Sequence, residues 1–133
     1  MSFLSAGFDR HAATPVPAIA IQAAIAPATV ARRAERDAPS AYSASKAALV
    51  GLTKAFARDL GPRGITANVV HPGSTDTDMN PAAGPHAEHQ RQKMAMPRFG
   101  TADEIAGMVA WLAGPEGRFV TGAALTIDGG ANA

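Results

Sequence analysis

From residue 40 onward the chain alternates between helical and extended patterns, and that alternation leaves it few folds to adopt. A helical stretch with Ser40 as its N-cap runs to about Leu60, where Gly61-Pro62 stops it. The β-rich run from Gly64 to Val70 follows at once and closes on His71-Pro72-Gly73. After a long polar stretch from Ser74 to Gly100, Thr101 and Glu104 stand at capping-box spacing ahead of a second helix. Its apolar positions Ile105, Met108, Val109 and Leu112 repeat at helical spacing, and Gly114-Pro115 ends it. Val120-Thr121-Gly122 then leads into a second strand, Ala124 to Ile127, closed by Asp128-Gly129-Gly130. Helix, strand, loop, helix, strand is the order of an α/β protein with a parallel sheet. In open sheets of this kind ligands bind beyond the carboxyl ends of the strands, here around His71-Pro72-Gly73.

Composition removes several functions. At 47% hydrophobic and 17% charged, the 133 residues are globular rather than disordered. A net charge of +1, with cations and acids interleaved, offers no patch for nucleic acid or an anionic membrane. The absence of cysteine excludes disulfides, thiolate metal sites and a thiol nucleophile, and fits a cytoplasmic protein. No apolar run of about 18 residues suggests a membrane span. The stretch Val16 to Ala26 lacks a basic start and contains Pro17, which argues against a signal peptide. His86 and His89 stand at i, i+3, but with Glu88 and Gln90 beside them they read as a solvated turn of a short helix, and no metal is expected.

The first forty residues have a different character. They hold twelve alanines, four prolines and four arginines but one glycine, Gly7. The run Ile19 to Ile25 could be a short buried strand or one end of a helix, and runs of this length do not decide between them. The chain therefore divides into residues 1–40, an atypical and disrupted amino-terminal segment, and residues 41–133. Within the latter, 74–100 has the length of a lid or binding loop.

Candidate chemistry lies at the start of the first helix, in Tyr42-Ser43-Ala44-Ser45-Lys46. At about 100° per residue, Tyr42 and Lys46 share one face, one turn apart. A phenol ordinarily loses its proton near pH ~10, too high for acid–base work at neutral pH. An ammonium about 5 Å away, at an effective dielectric of ~20, favours the phenolate by roughly 3 kcal/mol, enough to bring that chemistry within reach. A stripe of small residues, Ala44, Ala48, Gly51 and Ala55, runs along the other side of the helix and allows close approach of a second helix, including one from another subunit.

Four motifs in one order carry a resemblance. They are Y-S-A-S-K at Tyr42, N-V-V-H-P-G at Asn68 to Gly73 with Thr77 beyond it, R-F-G-T-A-D-E-I-A at Arg98, and V-T-G-A-A-L-T-I-D-G-G at Val120. Together they resemble the carboxyl-terminal half of a short-chain dehydrogenase/reductase, and the pattern is similar to 3-oxoacyl carrier-protein reductases. The resemblance implies part of a Rossmann-type parallel sheet and an oxidoreductase that interconverts an alcohol and a ketone or aldehyde, including 3-oxoacyl thioesters, with NAD or NADP. It makes Tyr42 the acid/base, with Lys46 beside it holding the nicotinamide ribose. It gives Tyr42, Lys46, Pro72, Gly73, Thr75 and Thr77 to the cofactor, with Thr77 at the carboxamide or a phosphate, makes residues 79–96 a mobile substrate lid, and implies a homo-oligomer, dimer or tetramer, through helix 41–60.

Two parts of the family pattern are missing. The Gly-rich turn that cradles the pyrophosphate has no counterpart, because no glycine lies between Gly7 and Gly51. At the place of the family's serine, thirteen residues before the tyrosine, stands Thr29, in a segment that does not read as the strand that should carry it, and the supporting asparagine has no equivalent, Asn68 being the first in the chain. A non-catalytic fragment that associates with related subunits is the alternative expectation. With half a sheet's neighbours gone, marginal stability or rescue by self-association is expected too.

Overall fold

A central strand organises what the computed structural model describes, residues 18–22 and 39–133. That strand, β2 (Thr66–Pro72), is buried at all seven positions. It is flanked by β1 (Ala18–Gln22) and β3 (Ala124–Ile127), both parallel to it, in the order β1-β2-β3. Residues 66–70 of β2 pair with β1, while residues 69–72 pair with β3. The neighbours are thus staggered along β2. Pro72, which has no N–H to give a ladder, stands at the last position, where that loss is tolerated.

The long helix α1 (Pro39–Leu60) joins β1 to β2. It begins at Pro39, so Ser40 lies inside the first turn rather than capping it, and a proline suits the first helical position. Leu49, Phe56 and Leu60 are half-buried and Thr53 is fully buried, whereas Ala44, Ala48, Gly51 and Ala55 are exposed. The helix ends in a tight turn at Gly61–Arg63, and Gly64 takes a left-handed conformation with φ of 71°. Its N–H donates to the Gly61 carbonyl at 2.9 Å, and Ile65 N–H donates to the Leu60 carbonyl at 3.3 Å.

After β2 come the short helix α2 (Ala87–Arg91) and then α3 (Ala102–Ala113). The capping box at the start of α3 forms as expected. Glu104 N–H donates to Thr101 Oγ1 at 3.1 Å, and Thr101 N–H donates to the Glu104 carboxylate at 2.8 Å. Of its apolar stripe, Leu112 is buried, and Ile105, Met108 and Val109 are half-buried. Both α1 and α3 pack on β2, and α3 also reaches β1.

Asn68, in the middle of β2, ties the sheet to the turn before β3. Its Nδ2 donates to the Val120 carbonyl at 2.8 Å, and its Oδ1 accepts from Ala123 N–H at 3.2 Å. Beside it, Ala67 N–H donates to Thr121 Oγ1 at 3.1 Å, and the Ala67 carbonyl accepts from Gly122 N–H at 2.7 Å. Gly122 has φ of 72°, a conformation that other residues adopt reluctantly.

The segment 1–40, read from the sequence as atypical and disrupted, contributes β1. Of the two readings of the Ile19 to Ile25 run, the strand is the right one, ending at Gln22. Strands of parallel sheets are covered on both faces and show no alternation, so periodicity had nothing to register there. No helix among the described residues is long and apolar enough to cross a membrane.

Candidate active site

The geometry of α1 against β2 brings the candidate residues to one end of the sheet. The bond from Ile65 N–H to the Leu60 carbonyl sets the foot of α1 level with the start of β2. At about 1.5 Å per residue, Lys46 stands about 21 Å and Tyr42 about 27 Å above Leu60. At about 3.3 Å per residue, Gly73 stands about 23 Å above Thr66. The first turns of α1 therefore reach the level of the loop that follows β2. Tyr42 is described by its backbone position on α1, one turn before Lys46, whose side chain is half-buried.

The loop after β2 is tightly fixed. Gly73 N–H donates to the Ile127 carbonyl at 2.9 Å. A Cβ on Gly73 would lie 2.5 Å from the Asp128 Cα. The glycine is thus required by the passing Asp128 backbone, a reason additional to the cofactor approach that the resemblance implies. Thr75 Oγ1 donates to the Gly73 carbonyl at 3.1 Å, which leaves its oxygen able to accept. Thr77 is exposed, and its Oγ1 accepts from Asn80 N–H at 3.2 Å, which leaves its own proton to donate. One hydroxyl oriented as acceptor and one as donor suit the amide and oxygen of a carboxamide. The hydroxyls of Thr75 and Thr77, with Lys46 on α1, would suit the nicotinamide end of a dinucleotide. The sequence supplies no Gly-rich turn for its pyrophosphate.

The segment 74–100 folds on itself. Gly100 N–H donates to the Ser74 carbonyl at 2.9 Å and Asp76 N–H to the Gly100 carbonyl at 2.9 Å, closing its two ends together. Ala87, Met94 and Phe99 form a small core against Ala82 and Ala131. Arg91 Nη1 donates to the Ala82 carbonyl at 2.8 Å, and its guanidinium lies 5.9 Å from the centre of the Phe99 ring. Met96 N–H donates to the Gly129 carbonyl at 2.8 Å, anchoring the segment to the turn after β3.

The expectation of a solvated turn around His86 and His89 fails at Gln90, which is 6% exposed. Its Oε1 accepts from Ser74 Oγ at 2.6 Å and from Asn80 Nδ2 at 3.2 Å, while its Nε2 donates to Asn80 Oδ1 at 3.0 Å. Ser74, Asn80 and Gln90 are the residues that sequence reasoning passed over. His86 and His89 are exposed, and no group of three or more His, Asp or Glu among the described residues is placed to hold a metal ion. Thr29 lies outside the described residues, and it follows the end of β1 at Gln22 by seven positions.

Electrostatics are most marked at the far end of the segment. Arg98 donates to both Glu104 oxygens, at 2.8 and 2.6 Å. Those bonds, with the backbone N–H of Thr101, hold the Glu104 carboxyl at about 2, well below its ordinary 4.5, and the Arg98 guanidinium is raised in turn. A cavity of ≈ 480 Å³ lined by Lys54, Ala55, Ala57, Arg58, Thr121 and Gly122 lies toward the foot of α1, away from Tyr42 and Lys46.

A family model described as Enoyl-(Acyl carrier protein) reductase matches residues 10–132. The cyclic-di-GMP-binding biofilm dispersal mediator protein of Escherichia coli strain K12 is 61% identical over 90 residues, which make up 68% of this chain and 38% of that protein. The 3-oxoacyl-[acyl-carrier-protein] reductase FabG of the same strain is 43% identical over 93 residues, 67% of this chain and 37% of that one. A solved short-chain dehydrogenase from Burkholderia cenocepacia J2315, in complex with NADP, superposes with a TM-score of 0.75 at 56% identity, over 87% of this chain and 46% of its own. The chain spans less than half the length of these relatives. The ordered motifs, the parallel sheet and the match over residues 10–132 agree that the chain belongs to the short-chain dehydrogenase/reductase family of NAD(P)-dependent oxidoreductases.

Proposed function

We propose that this chain carries the proton-transfer and nicotinamide-facing part of an oxidoreductase that interconverts an alcohol and a ketone or aldehyde. What supports the reading is the length of α1 beside β2: at ideal rise per residue, its first turns, with Tyr42 and Lys46, come to the level of the loop 73–77. Tyr42 gives its phenolic proton to the developing alkoxide in reduction and takes it back in oxidation. In this reading the Lys46 charge favours the phenolate and holds the ribose of the cofactor. Thr77 donates and Thr75 accepts at the carboxamide, beside Pro72 and Gly73. The bound nicotinamide would supply or receive the hydride. The NADP complex of the Burkholderia relative favours NADP(H), and the name of the FabG relative favours a 3-oxoacyl thioester as substrate. A cytoplasmic setting is part of the proposal and fits a chain without cysteine.

The test is binding of NADPH and NADH by this polypeptide, followed by turnover of a 3-oxoacyl thioester. Tyr42→Phe should keep cofactor binding and lose turnover by about 10²–10⁴-fold, the usual contribution of a positioned acid/base. A chain that binds neither cofactor contradicts the reading.

A second reading is favoured by the exposure of Ala44, Ala48, Gly51 and Ala55 together. In it the chain is non-catalytic and associates through α1 with a second copy or a related subunit. Dimer or tetramer formation abolished by Ala48→Arg, in a chain that binds no cofactor, supports this alternative.

A further inference from the structure

We propose that Gln90 is a positioning residue for the cofactor-facing hydroxyls, acting through Asn80 on Thr77 and through Ser74 on the turn that carries Thr75. The proposal rests on the oxidoreductase reading above. Gln90 bonds to Asn80, ten residues before it, and to Ser74, sixteen residues before it.

The transmission is short and fully specified. Gln90 and Asn80 exchange two hydrogen bonds side chain to side chain. The Asn80 backbone N–H then donates to Thr77 Oγ1 at 3.2 Å and lies 3.0 Å from the Thr77 carbonyl, while Thr77 N–H reaches the Asn80 carbonyl at 3.4 Å. That pairing turns the Thr77 hydroxyl so that its proton is left to donate. On the other branch, Ser74 Oγ donates to Gln90 at 2.6 Å, and the Ser74 carbonyl holds Gly100 N–H. Thr75, next to Ser74, is itself the residue paired with Gly100 in a strand-like bridge, so the buried Gln90 amide acts on both branches of the loop.

The chemistry demands an amide at position 90. It must accept from a hydroxyl and an amide while donating to a carbonyl oxygen, and of the side chains of this length only glutamine does both at neutral pH. A carboxylate offers two acceptors, so whichever way Asn80 turns, one pair of oxygens faces each other. A protonated Glu regains a donor. The small core of Ala87, Met94 and Phe99 does not include Gln90, so α2 keeps its anchor when the network is altered.

The experiment uses the full chain with Gln90→Met, Gln90→Glu and, as a control on the exposed side of the same segment, Gln92→Met. Backbone hydrogen exchange at Thr77 and Asn80 is measured without cofactor, and NADPH affinity is measured across pH 4.5 to about 8. Gln90→Met should raise exchange at Thr77 and Asn80 while leaving Val69 and Val70 unchanged, and should weaken NADPH by about tenfold. Gln90→Glu should weaken NADPH at neutral pH and recover toward the parent as pH falls through the carboxylate range, a profile that a merely structural residue would not give. Gln92→Met should change neither. If the parent binds NADPH and both Gln90 variants bind it equally well at every pH, the positioning role is overturned while the oxidoreductase reading stands. If the parent binds no NADPH, both fall for this chain. Unchanged exchange at Thr77 and Asn80 in Gln90→Met overturns the network itself.

Discussion

Two buried hydroxyls give the clearest residue-scale contrast with the satisfied network around Gln90. Thr53 Oγ1 and Thr66 Oγ1 are enclosed and have no hydrogen-bond partner among the described residues. A buried unpaired hydroxyl costs about 1–3 kcal/mol, and valine has the same shape with similar helix propensity. Thr53→Val should therefore stabilise the chain by about 1 kcal/mol, read as a higher denaturant midpoint at constant slope. Gly73→Ala should do the opposite, because its methyl would meet the Asp128 backbone rather than a side chain that can turn away. We expect a loss of about 2–3 kcal/mol in the same assay, at the upper end of overpacking costs. At Glu104 the prediction concerns pH. Its carboxyl is held at about 2 against an ordinary 4.5, so the stabilisation from Arg98 and Thr101 is complete above that ordinary value and disappears as pH falls toward 2. Thermal melts of Glu104→Gln should fall below the parent at pH 7 and converge with it near pH 2.

At the scale of elements, Asn68 makes the turn 120–123 part of β2. Asn68→Ala strips partners from the Val120 carbonyl and the Ala123 N–H and should cost about 2–4 kcal/mol, with hydrogen exchange at Ala123 accelerated first. How far each element could be read from the sequence follows from where its determinants lie. The cap of α3 was legible because Thr101 and Glu104 are three residues apart and satisfy each other. The helix stop at Gly61-Pro62 and the strand after it were legible for the same local reason. β1 was not, since its apolar run fits a strand or a helix until β2 is there to pair with it. Nor was the burial of Gln90, which depends on Ser74 and Asn80, partners brought together only by the fold of residues 74–100. Of the proposed site, Tyr42, Lys46 and the loop 72–77 come from the family motifs. The conformation that orients Thr75 and Thr77 emerged only from the hydrogen bonds.

For the whole molecule, the exposed apolar surface is the dominant fact. Phe119 and Met79 are 98% and 92% exposed, and Met96, Trp111 and Leu52 are each about half exposed. Together with the small-residue face of α1, this surface leads us to expect a concentration-dependent oligomer with a melting temperature that rises with protein concentration. Sedimentation and melts over a hundredfold concentration range test this, and a monomer with a cooperative, concentration-independent melt contradicts it. The stagger of the sheet adds a consequence of another kind. Since β1 pairs with residues 66–70 and β3 with residues 69–72, β2 works as a ruler with three zones. Disturbance of the amino-terminal segment should be reported by the amides of residues 66 and 68, and disturbance of the carboxyl terminus by those of 71 and 73 and by Ala67, whose N–H is held by Thr121. Val69 and Val70 would respond to both, so a few amide resonances on one strand suffice to tell from which end the protein comes apart.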